Sequence, residues 1–261
     1  MTATEISLAV VTGGAGGIGN AVARRLLEGG SSVVIIDSNQ AALDKALAAF
    51  SAFEDRVHAR CVDVRDPTAV QQCADDVEAS IGPVDALATC AGVTRSGPAE
   101  AMSFANWKLV LDVNLDGTFL CCQAFGKGML ARGRGAIVTI SSTAGLGGAS
   151  GRANYSASKH AVIGLTKTLG IEWGRRGVRV NVVAPGPVNT EMLDRVPERV
   201  RFGTYVARTP LARLAGPEEI AETVRYLLSP AASYVNAAVI PVDGGYSSGF
   251  ATSQSGADFG V

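Results

Sequence analysis

Short runs of apolar and β-branched residues alternate with helix-like stretches along the whole chain, and this alternation restricts the fold more than any other feature. Strands are expected over 8–12, 32–37, 57–62, 86–91, 136–141, 179–184 and 238–242. Several of these runs are continuously apolar, the pattern of strands covered by helices on both faces. Helical patterns occupy 18–29, 40–50, 67–81, 104–129, 154–173 and 217–228, with Gly29-Gly30 and Gly174 standing where helices should stop. The expected fold is one α/β domain, a Rossmann-like doubly wound parallel sheet of about seven strands. No linker or change of composition marks a second domain, so residues 1–246 are read as one unit. The charged segment 189–210 follows a strand end, where a loop or helical lid would border a ligand crevice. The small polar residues 247–261 read as a flexible terminus.

Composition narrows the function classes. Of the 261 residues 47% are hydrophobic, enough for a substantial core, and the net charge of −1 comes from charges spread along the chain. No basic patch points to nucleic acid or an anionic membrane. No run approaches the ~18 apolar residues of a membrane helix. The N-terminal apolar run is too short for a signal-peptide core and has no basic flank. The five cysteines (61, 73, 90, 121, 122) lack metal-ligand spacing, and the two histidines, His58 and His160, do not complete a zinc site. No metal is expected, and reduced thiols in a cytoplasmic protein are the simplest reading.

Thr12-Gly13-Gly14-Ala15-Gly16-Gly17-Ile18-Gly19 follows the first strand and opens the first helix, the setting in which a glycine loop cradles a pyrophosphate. Gly13 permits the tight turn, Gly17 lets backbone approach phosphate, and Gly19 lets the helix pack on the sheet. The position favours the ligand reading over a bare strand–helix turn. Asp37 ends the second strand 18 residues beyond Gly19, where a carboxylate accepts hydrogen bonds from both ribose hydroxyls. At ~5 Å and an effective dielectric of ~20 it repels each unit of 2′-phosphate charge by roughly 3 kcal/mol. No Lys or Arg lies in the loop and Ser38 follows the acid, so NAD is expected over NADP.

With Asn114, Ser142, Tyr155, Lys159 and Pro185-Gly186 following in order, the sequence resembles the short-chain dehydrogenase/reductases over nearly its whole length. Ser142 precedes Tyr155 by 13 positions and Lys159 follows it by four. Ala91-Gly92-Val93-Thr94-Arg95, Val182-Val183-Ala184-Pro185-Gly186 and Pro241-Val242-Asp243-Gly244-Gly245 are similar to the branch with 3-oxoacyl-thioester reductases and NAD-linked alcohol and polyol dehydrogenases. The resemblance implies cofactor contacts at Ile18, Ala91, Gly92, Pro185, Gly186 and Val188. It also implies that Asp63-Val64 meets adenine and that Thr190 holds the nicotinamide carboxamide. Lys159 would bind the nicotinamide ribose, Asn114 would hold a water linking Lys159 to solvent, and homotetramers would form through the helices over 104–129 and 154–173. Gly164 and Gly170 would permit the close helix approach. The chain departs from the family pattern twice. Cys90 stands where the family usually has Asn before Ala-Gly, a change that would act on how the central strands are tied. Gly16 occupies the position where thioester reductases carry a basic residue for NADP, in agreement with Asp37.

The implied chemistry makes Tyr155 the general acid/base for interconverting a secondary alcohol and its ketone. Bringing a phenol from pKa ~10 to ~7 takes about 4 kcal/mol, beyond the ~0–1 kcal/mol of an exposed ion pair. A desolvated Lys159 ammonium on the same helix face, with the charge of the oxidised cofactor, is expected to supply it. Ser142 would hydrogen-bond the substrate oxygen. By adjacency, Thr143, Gly145, Leu146, Met192 and Leu193 are expected to shape the substrate pocket. Arg152 and Arg95 stay open between contact with an anionic substrate group and pairing at a surface or interface. His160, Trp107 and Trp173 read as packing or surface residues. Two other functions compete with a polyol, sugar or small-hydroxyacid dehydrogenase. One is a 3-oxoacyl-thioester reductase; the other is a dinucleotide-sensing protein without chemistry, against which the intact Ser/Tyr/Lys set speaks.

Overall fold

The computed structural model describes residues 6–194 and 198–249. Seven strands, β1 (Leu8–Thr12), β2 (Ser32–Asp37), β3 (Val57–Cys61), β4 (Ala86–Thr89), β5 (Gly135–Ile140), β6 (Val178–Pro185) and β7 (Val239–Val242), form one sheet in the order β3-β2-β1-β4-β5-β6-β7. All neighbouring pairs are parallel, with Val10 opposite both Val34 and Leu87. The helices are α1 (Gly17–Glu28), α2 (Gln40–Ala49), α3 (Pro67–Ser80), α4 (Phe104–Leu111), α5 (Gly117–Arg132), α6 (Ala153–Gly174), α7 (Glu191–Asp194), α8 (Glu198–Val200) and α9 (Pro217–Leu228).

The continuous apolar strands are buried on both faces. Ala9, Val11, Val33 and Ile35 pack against Leu26, Leu27, Leu43, Ile220 and Leu227 of α1, α2 and α9. Leu8, Val10, Val34 and Ile36 face Val70, Val77, Phe125, Met129 and Leu169 of α3, α5 and α6. Alternate residues of β1 thus serve two cores, which is why the strand carries no polar side in its sequence. Trp173 packs into the second core and His160 is exposed, its ring bonded to the Ser156 carbonyl.

Three differences from the sequence expectation bear on the site. The helix expected over 104–129 is interrupted by a π segment, Asp112–Asp116, and runs on to Arg132. The extra residue in that turn carries Asn114 into the interior, and Thr118 Oγ1 caps the Asn114 carbonyl at 2.8 Å. The strand expected to reach 91 ends at Thr89, because Cys90 leaves the sheet while its N–H still bonds the Thr12 carbonyl. The terminus expected to be flexible from 247 is held at its first residue. Ser247 is tied through its N–H and hydroxyl to the buried Asp243 carboxylate, and residues 250–261 lie outside the described residues.

Segment 189–210 contains α7, α8 and a π turn over Arg201–Val206. It leaves the sheet through a bridge between Val188 and Ala215.

The glycines of α6 also divide. A Cβ at Gly170 would lie 2.9 Å from Ala237 Cβ, so its small size serves packing within the chain, and only Gly164 faces open space. Gly170→Ala should therefore destabilise by about 1–3 kcal/mol through overpacking. Gly164→Ala should stabilise by roughly 0.5–1 kcal/mol through helix propensity. Urea denaturation of the two variants checks the pair, and the same sign for both would contradict this packing.

Candidate active site

The carboxyl ends of β1 and β4 mark the point where the sheet order reverses, and a cavity of about 790 Å³ opens there. Helices α2, α3 and α4 are capped by the side chains of Asn39, Asp66 and Ser103. By contrast, α1 starts at Gly16 with no side-chain cap, so its first N–H groups and positive dipole end are directed at the cavity. Gly13 and Gly17 both have positive φ, +63° and +51°. A Cβ on Gly13 would press on the Ala91 backbone at 2.8 Å, and one on Gly19 would collide with the Gly13 carbonyl. At Gly17 the cavity is narrow, with Thr190 Cγ2 3.6 Å from where a Cβ would be. The cradle therefore fits a dinucleotide pyrophosphate laid against backbone.

Gly13, Gly17, Ile18, Gly19, Asp37, Asp63, Val64, Ala91, Gly92, Pro185, Gly186, Val188 and Thr190 all line this cavity. Asp37 keeps one carboxylate oxygen on the Asn39 N–H at 3.1 Å and presents its carboxylate at the far end from Tyr155. Asp63 is less free, since the Arg65 guanidinium grips its carboxylate at 2.5–3.0 Å and holds its pKa below the usual range. Arg65 is itself in the wall, a cation near the adenosine end that motif reading did not single out. At position 90 the strands are tied through Thr12, whose carbonyl and hydroxyl accept from the Cys90 and Ala91 N–H groups. The Cys90 thiol is pushed up to about 12 by burial.

Ser142, Tyr155 and Lys159 meet on the other side of the cavity. Ser142 follows β5 and accepts the Ala144 N–H at 3.2 Å, which orients its hydroxyl. A buried Thr139–Thr166 hydroxyl contact of 2.7 Å pins α6 to β5. Lys159 is buried, lies 5.7 Å from the Tyr155 ring centroid, and donates to the Ile140 carbonyl at 2.8 Å.

Burial sets the electrostatics of the Tyr155–Lys159 pair. Burial raises the Tyr155 pKa above that of a free phenol, while hydrogen bonding with Ser142 and the Arg152 charge pull it back in part. Lys159 Nζ at 5.7 Å and the Arg152 guanidinium carbon at 5.9 Å from the ring centroid place two cations beside the phenol. Burial lowers Lys159 itself to about 8, so its own charge is penalised and its ammonium turns to a carbonyl.

Asn114 anchors the loop after β4. It lies behind the cavity wall, fully buried, with Oδ1 accepting the Val93 N–H at 2.8 Å. Its Nδ2 donates to the Val93 carbonyl and to Ser158 Oγ, and Ser158 donates to the Tyr155 carbonyl. Through these bonds Asn114 ties the loop after β4 to the turn of α6 that carries Tyr155 and Lys159.

Of the residues expected at the substrate end, Thr143, Arg152, Met192 and Leu193 line the cavity. Gly145 and Leu146 do not. Gly145 lets the turn after β5 sit against Lys159, whose backbone would be 2.7 Å from a Cβ there, and Leu146 points to the outside. Tyr205, Arg208 and Tyr246 also line it. They come from distant segments without a motif, so no sequence spacing signals them.

A family model described as Enoyl-(Acyl carrier protein) reductase matches residues 13–247. Galactitol 2-dehydrogenase (L-tagatose-forming) of Cereibacter sphaeroides is 43% identical over 242 residues, covering 91% of this chain and 94% of that protein. D-threitol dehydrogenase of Mycolicibacterium smegmatis is 40% identical over 239 residues, covering 92% of each. Among solved structures, a gluconate 5-dehydrogenase from Burkholderia cenocepacia in complex with NADP and tartrate superposes with a TM-score of 0.88 at 33% identity. That match covers 93% of this chain and 96% of that one.

The lowered pKa of Lys159 has a stability signature. Between about 8 and 10.5 the unfolded chain keeps a proton that the folded chain has lost, so this group's contribution improves as pH rises and is lost as pH falls through about 8. The stability of Lys159→Met relative to wild type should therefore be greatest near neutral pH and fall toward pH ~10. Urea denaturation at both pH values reads it, and a pH-independent difference would contradict the burial penalty.

Proposed function

This chain belongs to the short-chain dehydrogenase/reductase family, and on that premise we propose that it is an NAD-dependent oxidoreductase interconverting a secondary alcohol and its ketone. The observation that carries this reading is the convergence of Ser142, Tyr155 and Lys159 on a cavity that also takes in the glycine loop and Asp37. Galactitol and threitol in the names of two relatives support a polyol or sugar alcohol, and gluconate in the name of a structural neighbour supports a small hydroxyacid.

NAD, when bound, supplies the hydride acceptor and the positive charge of its oxidised ring. The chain handles the proton. In oxidation the Tyr155 phenolate would take the carbinol proton while the C–H electron pair leaves as hydride to the cofactor; in reduction the Tyr155 phenol would return a proton to the ketone oxygen. The Ser142 hydroxyl donates to the same oxygen as charge develops on it. Burial alone keeps the phenol protonated, so acidification rests on the neighbouring positive charges, Lys159, Arg152 and the oxidised ring. Lys159 holds the nicotinamide ribose, Thr190 the carboxamide, and Val64 packs on adenine. Asp37 binds the adenosine ribose hydroxyls and disfavours a 2′-phosphate. The segment 189–210 acts as the substrate loop.

Among the described residues no helix is long and apolar enough to cross a membrane. We place the protein in the cytoplasm as a homotetramer. Exposed Phe104, Phe119 and Ile171 on α4, α5 and α6 support contact between copies along those helices. Relatives named 3-oxoacyl-[acyl-carrier-protein] reductase, 36% and 39% identical, favour a 3-oxoacyl-thioester reductase as the second reading. NADPH preference and 3-oxoacyl-thioester turnover would select it.

An NAD-reduction screen over polyols, sugars and hydroxyacids tests the main reading. Tyr155→Phe should keep NAD affinity and lose about 10²- to 10⁴-fold in kcat, and near-normal turnover would refute the proton role. Oxidation by the wild type should speed up as pH rises above neutrality, in keeping with a phenol whose pKa burial raises. Asp37→Ser should narrow the NAD-over-NADP preference by about 100-fold, read from the two kcat/KM values.

A further inference from the structure

We infer that the substrate carries a carboxylate and that Arg152 receives it, which makes the enzyme a hydroxyacid dehydrogenase and Arg152 its specificity-determining residue. The inference rests on the dehydrogenase reading above and narrows its substrate class.

Arg152 stands at the start of α6, three residues before Tyr155, and its half-buried side chain lines the cavity. Its guanidinium carbon lies 5.9 Å from the Tyr155 ring centroid and 6.0 Å from that of Tyr205. The hydrogen bond found for it is a neutral one, Nη2 to the Tyr205 hydroxyl at 3.0 Å. Among the described residues no carboxylate comes within ion-pairing distance of Arg152. Other arginines are already matched, Arg56 and Arg179 by backbone carbonyls. Arg25, Arg60, Arg132 and Arg213 each meet an acid, and Arg65 in the same cavity is gripped by Asp63.

A planar guanidinium with donors to spare, partly removed from water, matches a carboxylate in both charge and fork geometry. The surroundings strengthen the match. Arg95 lies on the same wall, and the Gly97 N–H bonds the Gly151 carbonyl at 2.9 Å, tying the loop of Arg95 to the turn before Arg152. Arg208 also lines the cavity, stacked 4.9 Å from the Tyr246 centroid. At this end the wall carries one carboxylate, the exposed Glu191, against these three cations. A neutral polyol would leave them without a counter-charge, whereas a carboxylate near the carbinol supplies one. Tyr205 positions the guanidinium from the opposite side of the cavity.

The test compares short 2-, 3- and 4-hydroxycarboxylates with their neutral amides in NAD reduction, for wild type, Arg152→Gln and Arg152→Lys. The quantity read is the ratio of kcat/KM for acid to that for amide, in which any general effect on Tyr155 cancels. Wild type should favour the acid, Arg152→Gln should lower the ratio by about 10- to 100-fold, and Arg152→Lys should keep part of it. Binding of malonate to the protein with NADH, followed by calorimetry, gives a second readout without turnover and should weaken in Arg152→Gln. A ratio that does not move, or a preference confined to phosphorylated polyols, overturns the inference. If no alcohol reduces NAD, the dehydrogenase reading fails; Arg152-dependent malonate binding would still uphold the anion site, and equal binding by both proteins would overturn it.

Discussion

Parallel pairing of β1 with β2 on one side and β4 on the other is the constraint from which the site follows. Parallel neighbours need crossover helices, and right-handed crossovers leading outward in opposite directions send the loops after β1 and β4 apart. The gap so formed cannot be filled by either crossover. At its edge the glycine loop brings backbone instead of side chains to the surface, and Gly13 can approach Ala91 only because it has no Cβ. One topological fact thus supplies a crevice, an uncapped helix start and a place for Asp37 at the neighbouring strand end.

The opposite wall is built by locking α6 against β5. Thr139 and Thr166 share a buried hydrogen bond, Gly145 lets the intervening turn close on Lys159, and Asn114 clamps the turn of Ser158. These contacts desolvate Tyr155 and Lys159 together. Burial disfavours the charged form of each, raising the phenol and lowering the ammonium. Their environment is therefore set to respond strongly to a positive charge arriving beside them, while at rest the phenol stays protonated. Such a poise places the control of proton transfer in the occupied cavity.

The sequence made the scaffold legible because its signals are local. A buried parallel strand must be apolar on both faces, so β1, β2 and β5 announced themselves as largely apolar runs, whereas the edge strand β3 carries His58 and Arg60. The Thr12–Gly19 loop, Asp37 and the Ser142/Tyr155/Lys159 spacing were readable for the same reason. The π segment at 112–116 was not, because one extra residue in a turn changes no periodicity strongly enough to register. Asn114's bonds to Val93 and Ser158 and the Asp63–Arg65 grip depend on rotamers and neighbouring elements.

By itself, then, the sequence determined the strand–helix order and the glycine loop after β1, and it singled out Asp37 as the candidate for ribose binding and Tyr155 with Lys159 as the candidate proton-handling pair, all from residue type and spacing. The tertiary structure alone decided which way Lys159 points, that Gly170 serves packing within the chain, and that Arg152 faces Tyr155 and Tyr205 inside the cavity. The physical reason is that desolvation and charge pairing are set by everything surrounding a group. For Arg152 that surrounding is Tyr205, 53 residues away in the chain and 3.0 Å away in space.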